Sequence, residues 1–116
     1  MKYFTASEFD CKCGCGLNNF SESLAETLDI LRAECGFPFV ISSGCRCTSH
    51  NYEEGGTPRS DHLTGEGVDI KAIGGNKKYL IITHALEHEI CRIGIGKSFV
   101  HLGTNKSNPQ DVFWTY

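Results

Sequence analysis

The sequence predicts an α+β domain: a small, mostly antiparallel sheet with two main helices packed on it and polar side chains gathered on its open face. Three observations predict this. Leu24, Leu28, Leu31 and Cys35 recur at helical spacing, and so do Tyr79, Ile82, Leu86 and Ile90. Short apolar runs of strand length, Phe39 to Ile41, Val68 to Ile70, Ile93 to Ile95, Phe99 to Leu102 and Val112 to Thr115, alternate with polar or glycine-bearing stretches. Within two of these runs a polar residue, Asp69 or His101, sits between apolar neighbours, so it leaves the sheet on the face opposite to theirs.

A length of 116 residues fits one domain, 1–116, with a modest core. Apolar content of 40% and charged content of 22% are those of an ordinary globular protein. A net charge of −3 gives no reason to expect a nucleic-acid partner. No apolar run approaches the roughly 20 residues of a membrane span. Met1 to Thr5 lacks an apolar core, so no secretory signal peptide is expected and synthesis in the cytoplasm is. There is no internal repeat or low-complexity segment, and a monomer is expected.

The first helix is expected from about Ser21 to Cys35. Ser23 with Glu26 offers a capping box and Ser21 a rival cap; Gly36 stops the helix and Pro38 prevents its continuation. Phe39 to Ile41 is expected as a buried strand leading into Ser43-Gly44-Cys45-Arg46. From there to Ser60 the chain is polar and glycine-rich, which predicts an ordered loop at a functional site rather than a linker. Asn76 is expected to cap the second helix, running to about Cys91 with Tyr79, Ile82, Leu86 and Ile90 on its buried face. His84 and His88 share one side of that helix. Without a glutamate after His84 they read as an exposed face rather than a metal pair.

Seven cysteines fall as Cys11, Cys13 and Cys15, Cys45 and Cys47, with Cys35 and Cys91 alone near helix ends as packing residues. Without export, disulfides are disfavoured. Two readings stay open for the clusters: reduced thiols beside turns at Gly14 and Gly16, or a second, structural metal site drawing on Cys11, Cys13, Cys15, Cys45 and Cys47.

The most informative stretch is Ser60 to Ile70. If the strands carrying Asp69 and His101 pair, both side chains project from one surface, and a loop through Gly65 and Gly67 can return His62 over it. Two imidazoles and one carboxylate form a ligand set suited to Zn2+ with a fourth position left to water.

The residues Ser60, His62, Gly65, Gly67 and Asp69 resemble the Ser-x-His-x-x-Gly-x-Ala-x-Asp signature of the zinc D-Ala-D-Ala carboxypeptidase and murein endopeptidase family (peptidase family M15), with Gly67 in place of alanine. Phe9 to Cys15, Leu28 to Arg32, Ser43 to Cys47, His50-Asn51, Gly55-Gly56 and Phe99-Val100-His101 are similar to its phage and bacterial branch. The fold is related to the hedgehog signalling domain. The resemblance implies metal ligands at His62, Asp69 and His101, and hydrolysis of peptidoglycan stem peptides by a zinc-activated water. It also implies substrate contact at Arg46 and Ser60, with the Arg46 guanidinium holding a peptide carboxylate. The wall would be reached after phage-mediated release or as part of a virion.

This chain departs from the family where a proton-moving group is expected. Many members have Asp or Glu three residues before the last histidine ligand, where Ser98 stands here, or a histidine two before it, where Phe99 stands. The nearest branch often has Asp two after it, where this chain has Gly103. Glu66 and Asp111 are the candidate catalytic carboxylates. The alternative is a non-catalytic member that keeps zinc and binds cell wall or serves as a phage structural or assembly protein.

Overall fold

A computed structural model describes all residues, 1–116. After a 3-10 turn at Ala6–Phe9 come helix α1 (Glu22–Cys35), strand β1 (Ile41–Ser43), helix α2 (Thr48–Glu53) and a second 3-10 turn at Asp61–Thr64. Strand β2 (Gly67–Lys71), helix α3 (Gly75–Glu87) and strands β3 (Arg92–Ile95), β4 (Phe99–Gly103) and β5 (Val112–Thr115) complete the chain. No helix is long and apolar enough to cross a membrane.

Ser21, not Ser23, caps α1: its hydroxyl accepts from the Leu24 amide at 3.1 Å. Gly36 ends the helix in a left-handed conformation, φ +77°. The helix buries Leu24, Ala25, Leu28 and Leu31. Helix α3 departs further from expectation. It follows Gly74 rather than an Asn76 cap, ends at Glu87, and buries Ile81 and Ala85, while Tyr79 is 63% and Leu86 44% exposed. Nearly every position from Tyr79 to Ile82 is apolar, so packing on α1 and β4 selects the buried stripe. Glu89, at φ +65°, turns the chain so that Ile90 reaches the core after the helix has ended. His84 and His88 both face Glu34 of α1, at 3.6 and 2.8 Å, and tie the two helices together.

The sheet runs β1-β2-β4-β3-β5. It is mixed rather than mostly antiparallel, because β5 lies parallel to β3. The reason is the path after β4. Gly103 pairs with Arg92 at the start of β3, and the following loop stays at that end, so Val112 also begins opposite Arg92. The first strand is shifted to Ile41–Ser43, leaving Phe39 buried ahead of it and Val40 exposed.

Val68 and Ile70 lie opposite Leu102 and Val100, which in turn lie opposite Ile93 and Ile95. All but Ile95 are fully buried, with α1 and α3 covering this face. Burying each such side chain contributes roughly 1.5–3 kcal/mol. On the other face one cross-strand row reads Ser43, Asp69, His101, Gly94, Trp114. The segment expected as an ordered loop contains α2, six residues that are too short to show a helical period.

Candidate metal centre and cleft

The centre is built on that row. Asp69 and His101 are direct cross-strand partners, so the antiparallel pleat sends both side chains out of the same face. His62 arrives from the 3-10 turn at Asp61–Thr64, where the Ser60 hydroxyl accepts from the His62 amide at 3.2 Å. Gly65 then reverses the chain at φ +72°, and an added Cβ there would also run into the Asn19 carbonyl oxygen. As a result Asp69 Oδ1 lies 3.2 Å from His62 Nε2 and 2.8 Å from His101 Nδ1, with all three residues buried.

The remaining nitrogens decide which atoms are free. His62 Nδ1 is 2.7 Å from the Gly44 carbonyl oxygen, which can only accept, so this nitrogen carries the proton and Nε2 keeps its lone pair. His101 Nε2 is 2.9 Å from Asp61 Oδ2, which fixes the opposite tautomer and leaves Nδ1 as the inward lone pair. The other Asp69 oxygen faces Arg46 Nη2 at 3.5 Å. Two unprotonated ring nitrogens and a carboxylate oxygen, all within 4.8 Å of one another, thus converge with their outer atoms already engaged. This donor set fits zinc. Without a cation, His101 Nδ1 can hydrogen-bond to Asp69 Oδ1 at 2.8 Å only when it carries a proton. Burial opposes a charged His101, but hydrogen bonds and charge from Asp61 and Asp69 outweigh it and raise its pKa. Burial likewise opposes an ionised Asp69, and the two histidines more than offset that and hold its carboxyl far below the usual range.

Asp61 is the functional residue that the sequence did not single out. Its carboxylate is 2% exposed and is gripped by Arg92 (Nε to Oδ1 3.2 Å, Nη2 to Oδ2 3.1 Å) and by Asn108 Nδ2 at 3.2 Å. Burial would push the Asp61 carboxyl up, yet the His101 and Arg92 hydrogen bonds hold it below its ordinary value. Gly67, the departure inside the family signature, and Gly103, where the nearest branch often has Asp, both open onto this side chain. A Cβ on Gly67 would lie 2.6 Å from Asp61 Cβ, and one on Gly103 would run into Asp61 Oδ2. The Asp that the nearest branch often has two residues after the last histidine would therefore compete for the space that Asp61 fills. The only sequence signal for it was this pair of glycines.

A cleft of about 870 Å³ opens over the centre. Lys12, Arg46, His50 and Glu54 border it, with Phe99 and Tyr116 also in its lining. Arg46 is braced by Ser43 Oγ at 2.9 Å and Asn51 Oδ1 at 3.4 Å, so its guanidinium is held beside Asp69 rather than free to swing. Ser60 lines the cleft too, with its hydroxyl serving the His62 turn. Gly94 lets Trp114 lean against His101, ring centroids 5.4 Å apart; a Cβ there would come within 2.7 Å of Trp114 Nε1 and 2.9 Å of the Tyr116 hydroxyl.

Glu66 and Asp111 do not line the cleft. The Glu66 carbonyl instead joins β2 to Thr104, and Asp111 is exposed in a left-handed turn, φ +58°, just before β5. The carboxylates that do line it are Asp61, Asp69 and Glu54, of which only Glu54 is uncommitted to the centre. Its Oε1 lies 3.6 Å from His50 Nε2, and His50 Nδ1 is buried without a hydrogen-bond partner.

A family model described as Peptidase M15 matches residues 2–103, which include His62, Asp69 and His101. No curated protein matches the chain.

Proposed function

We propose that this chain, which belongs to the peptidase M15 family, is a zinc-dependent peptidase acting on peptidoglycan stem peptides. The observation that carries the reading is the convergence of His62 Nε2, Asp69 Oδ1 and His101 Nδ1 at the floor of an open cleft, each with its outer atom held by the protein. Zinc bound there would supply a Lewis acid able to polarise a peptide carbonyl and bring the pKa of water to about 7.

The chain's own groups divide the remaining work. Arg46, held rigid by Ser43 and Asn51, presents a planar cation to a peptide carboxylate, as the end of a stem peptide would offer. Lys12 adds positive charge to the same wall. Glu54, the cleft-lining carboxylate not engaged by the centre, is our candidate in place of Glu66 or Asp111 for taking up and returning a proton, with His50 beside it. Release by a phage or carriage on a virion is the proposed route to the wall.

A second reading has its own observation in favour. Asp61 and Asp69 are both fully engaged in holding histidines, and Ser98, at the position where many relatives have an acid, is exposed and does not line the cleft. A chain of this kind could keep the metal and bind wall without cutting it. Digestion of purified peptidoglycan, read by mass spectrometry with chelator and with zinc restored, separates the two. New stem-peptide fragments that vanish with chelator and return with zinc support the peptidase. Zinc-loaded protein that binds wall but releases nothing supports the second reading.

A further inference from the structure

Away from the cleft floor, four of the seven cysteines meet. Cys11, Cys13 and Cys15 line one turn near the N-terminus, and Cys47 caps α2 some thirty residues later. Their sulfurs all lie within 4.8 Å of one another. Cys11 Sγ is 3.5 Å from Cys13 Sγ, which is 3.7 Å from Cys47 Sγ. Sulfurs about 2.3 Å from a shared tetrahedral metal stand about 3.8 Å apart, whereas a disulfide needs about 2.05 Å. The observed spacings match the first case, and all four thiols are free.

The backbone is arranged for sulfur carrying negative charge. The Cys47 amide donates to Cys11 Sγ and the His50 amide to Cys47 Sγ, both at 3.4 Å. Gly14 and Gly16, at φ +85° and +87°, fold three cysteines at alternate positions into one turn, which Cys11 N closes on the Leu17 carbonyl at 2.9 Å. Cys45 stands apart from the five-cysteine set expected from sequence. It is fully buried, its sulfur faces Asn18 Oδ1 at 3.9 Å, and burial pushes its thiol up.

We propose that Cys11, Cys13, Cys15 and Cys47 bind a structural zinc ion, separate from the cleft centre, which replaces their thiol protons and leaves no open coordination position. The site pins the N-terminal turn to the start of α2. Lys12 lies between two of the ligands and Arg46 immediately precedes the fourth, and both border the cleft. The ion therefore fixes the cationic wall without touching substrate.

The test uses the full-length chain, purified reduced with zinc present, and reads zinc per chain together with alkylation of the native protein. Two zinc ions per chain are expected. Cys11, Cys13, Cys15 and Cys47 should resist alkylation until a chelator is added, with the part-exposed Cys35 and Cys91 as internal controls. The C13S/C47S double variant should lose one zinc and keep the other. In an H62A/H101A chain loaded with cobalt, a thiolate-to-metal charge-transfer band should remain. One zinc per chain with these four thiols freely alkylated overturns the proposal, as does a disulfide among them or iron in place of zinc. The alkylation pattern needs no variant and no activity, so its failure is distinct from failure of the peptidase reading.

Discussion

His101 Nε2 donates to Asp61 Oδ2 at 2.9 Å, and the same carboxylate receives both Arg92 donors, so a buried chain of charge runs from β3 to the candidate metal centre. This pair sets the tautomer of His101 and therefore decides that Nδ1 faces inward. It also links the stability of the fold to the affinity of the site.

Asp61→Ala should therefore be costly twice. Arg92 would be left buried without its partner, a change worth about 3–5 kcal/mol. Loss of the outer hydrogen bond should weaken zinc binding about 10–100-fold. Chemical denaturation and a zinc competition titration check the two effects separately. Full stability with unchanged affinity would show that Asp61 is a spectator.

Gly103→Asp tests the exchange of carboxylates. Placing the acid that the nearest branch often has beside an intact Asp61 puts two carboxylates in one buried space, so the single variant should be destabilised and bind zinc poorly. Gly103→Asp with Asp61→Gly should recover part of both properties, a coupling that a double-mutant cycle measures. Additive losses would sever the link between the two positions.

His62→Ala, Asp69→Ala and His101→Ala should each abolish zinc binding at the cleft centre, because each removes one of the three proposed ligands. Calorimetric titration of each variant is the check. An unchanged affinity in any of them takes that residue out of the set.

What was readable in the sequence follows from the range of the signals. The alternation Val68-Asp69-Ile70 and Val100-His101-Leu102 is local, so the faces of β2 and β4 and the placing of Asp69 and His101 could be read directly. Helix α3 could be seen as a helix, but with apolar side chains from Tyr79 to Ile82 its buried stripe was chosen by α1 and β4. The parallel course of β5 is a property of the path from Gly103 to Val112, which no residue pattern within β5 encodes. Asp61 had no motif of its own. Its role depends on Arg92 and Asn108, distant in sequence, and on the volume left by two glycines.

The last prediction concerns pH. In the metal-free protein the pKa of His101 is raised by Asp61 and Asp69, so its pairing contributes stability that is fully present below about 6.5, the unfolded value. That contribution is lost as pH rises through the higher folded value. Asp61 and Asp69 are depressed, so their contribution is present above about 3.9 and is lost as pH falls through their lower folded values. Metal-free protein should thus be most stable between about pH 4 and 6.5 and soften above that window. Zinc needs the unprotonated Nδ1, so zinc-loaded protein should move the other way over the same range and gain stability as pH rises. Thermal melts with chelator and with zinc, taken across this range, should cross. Parallel curves would mean that His101 neither holds a proton in the metal-free protein nor gives one up to the metal.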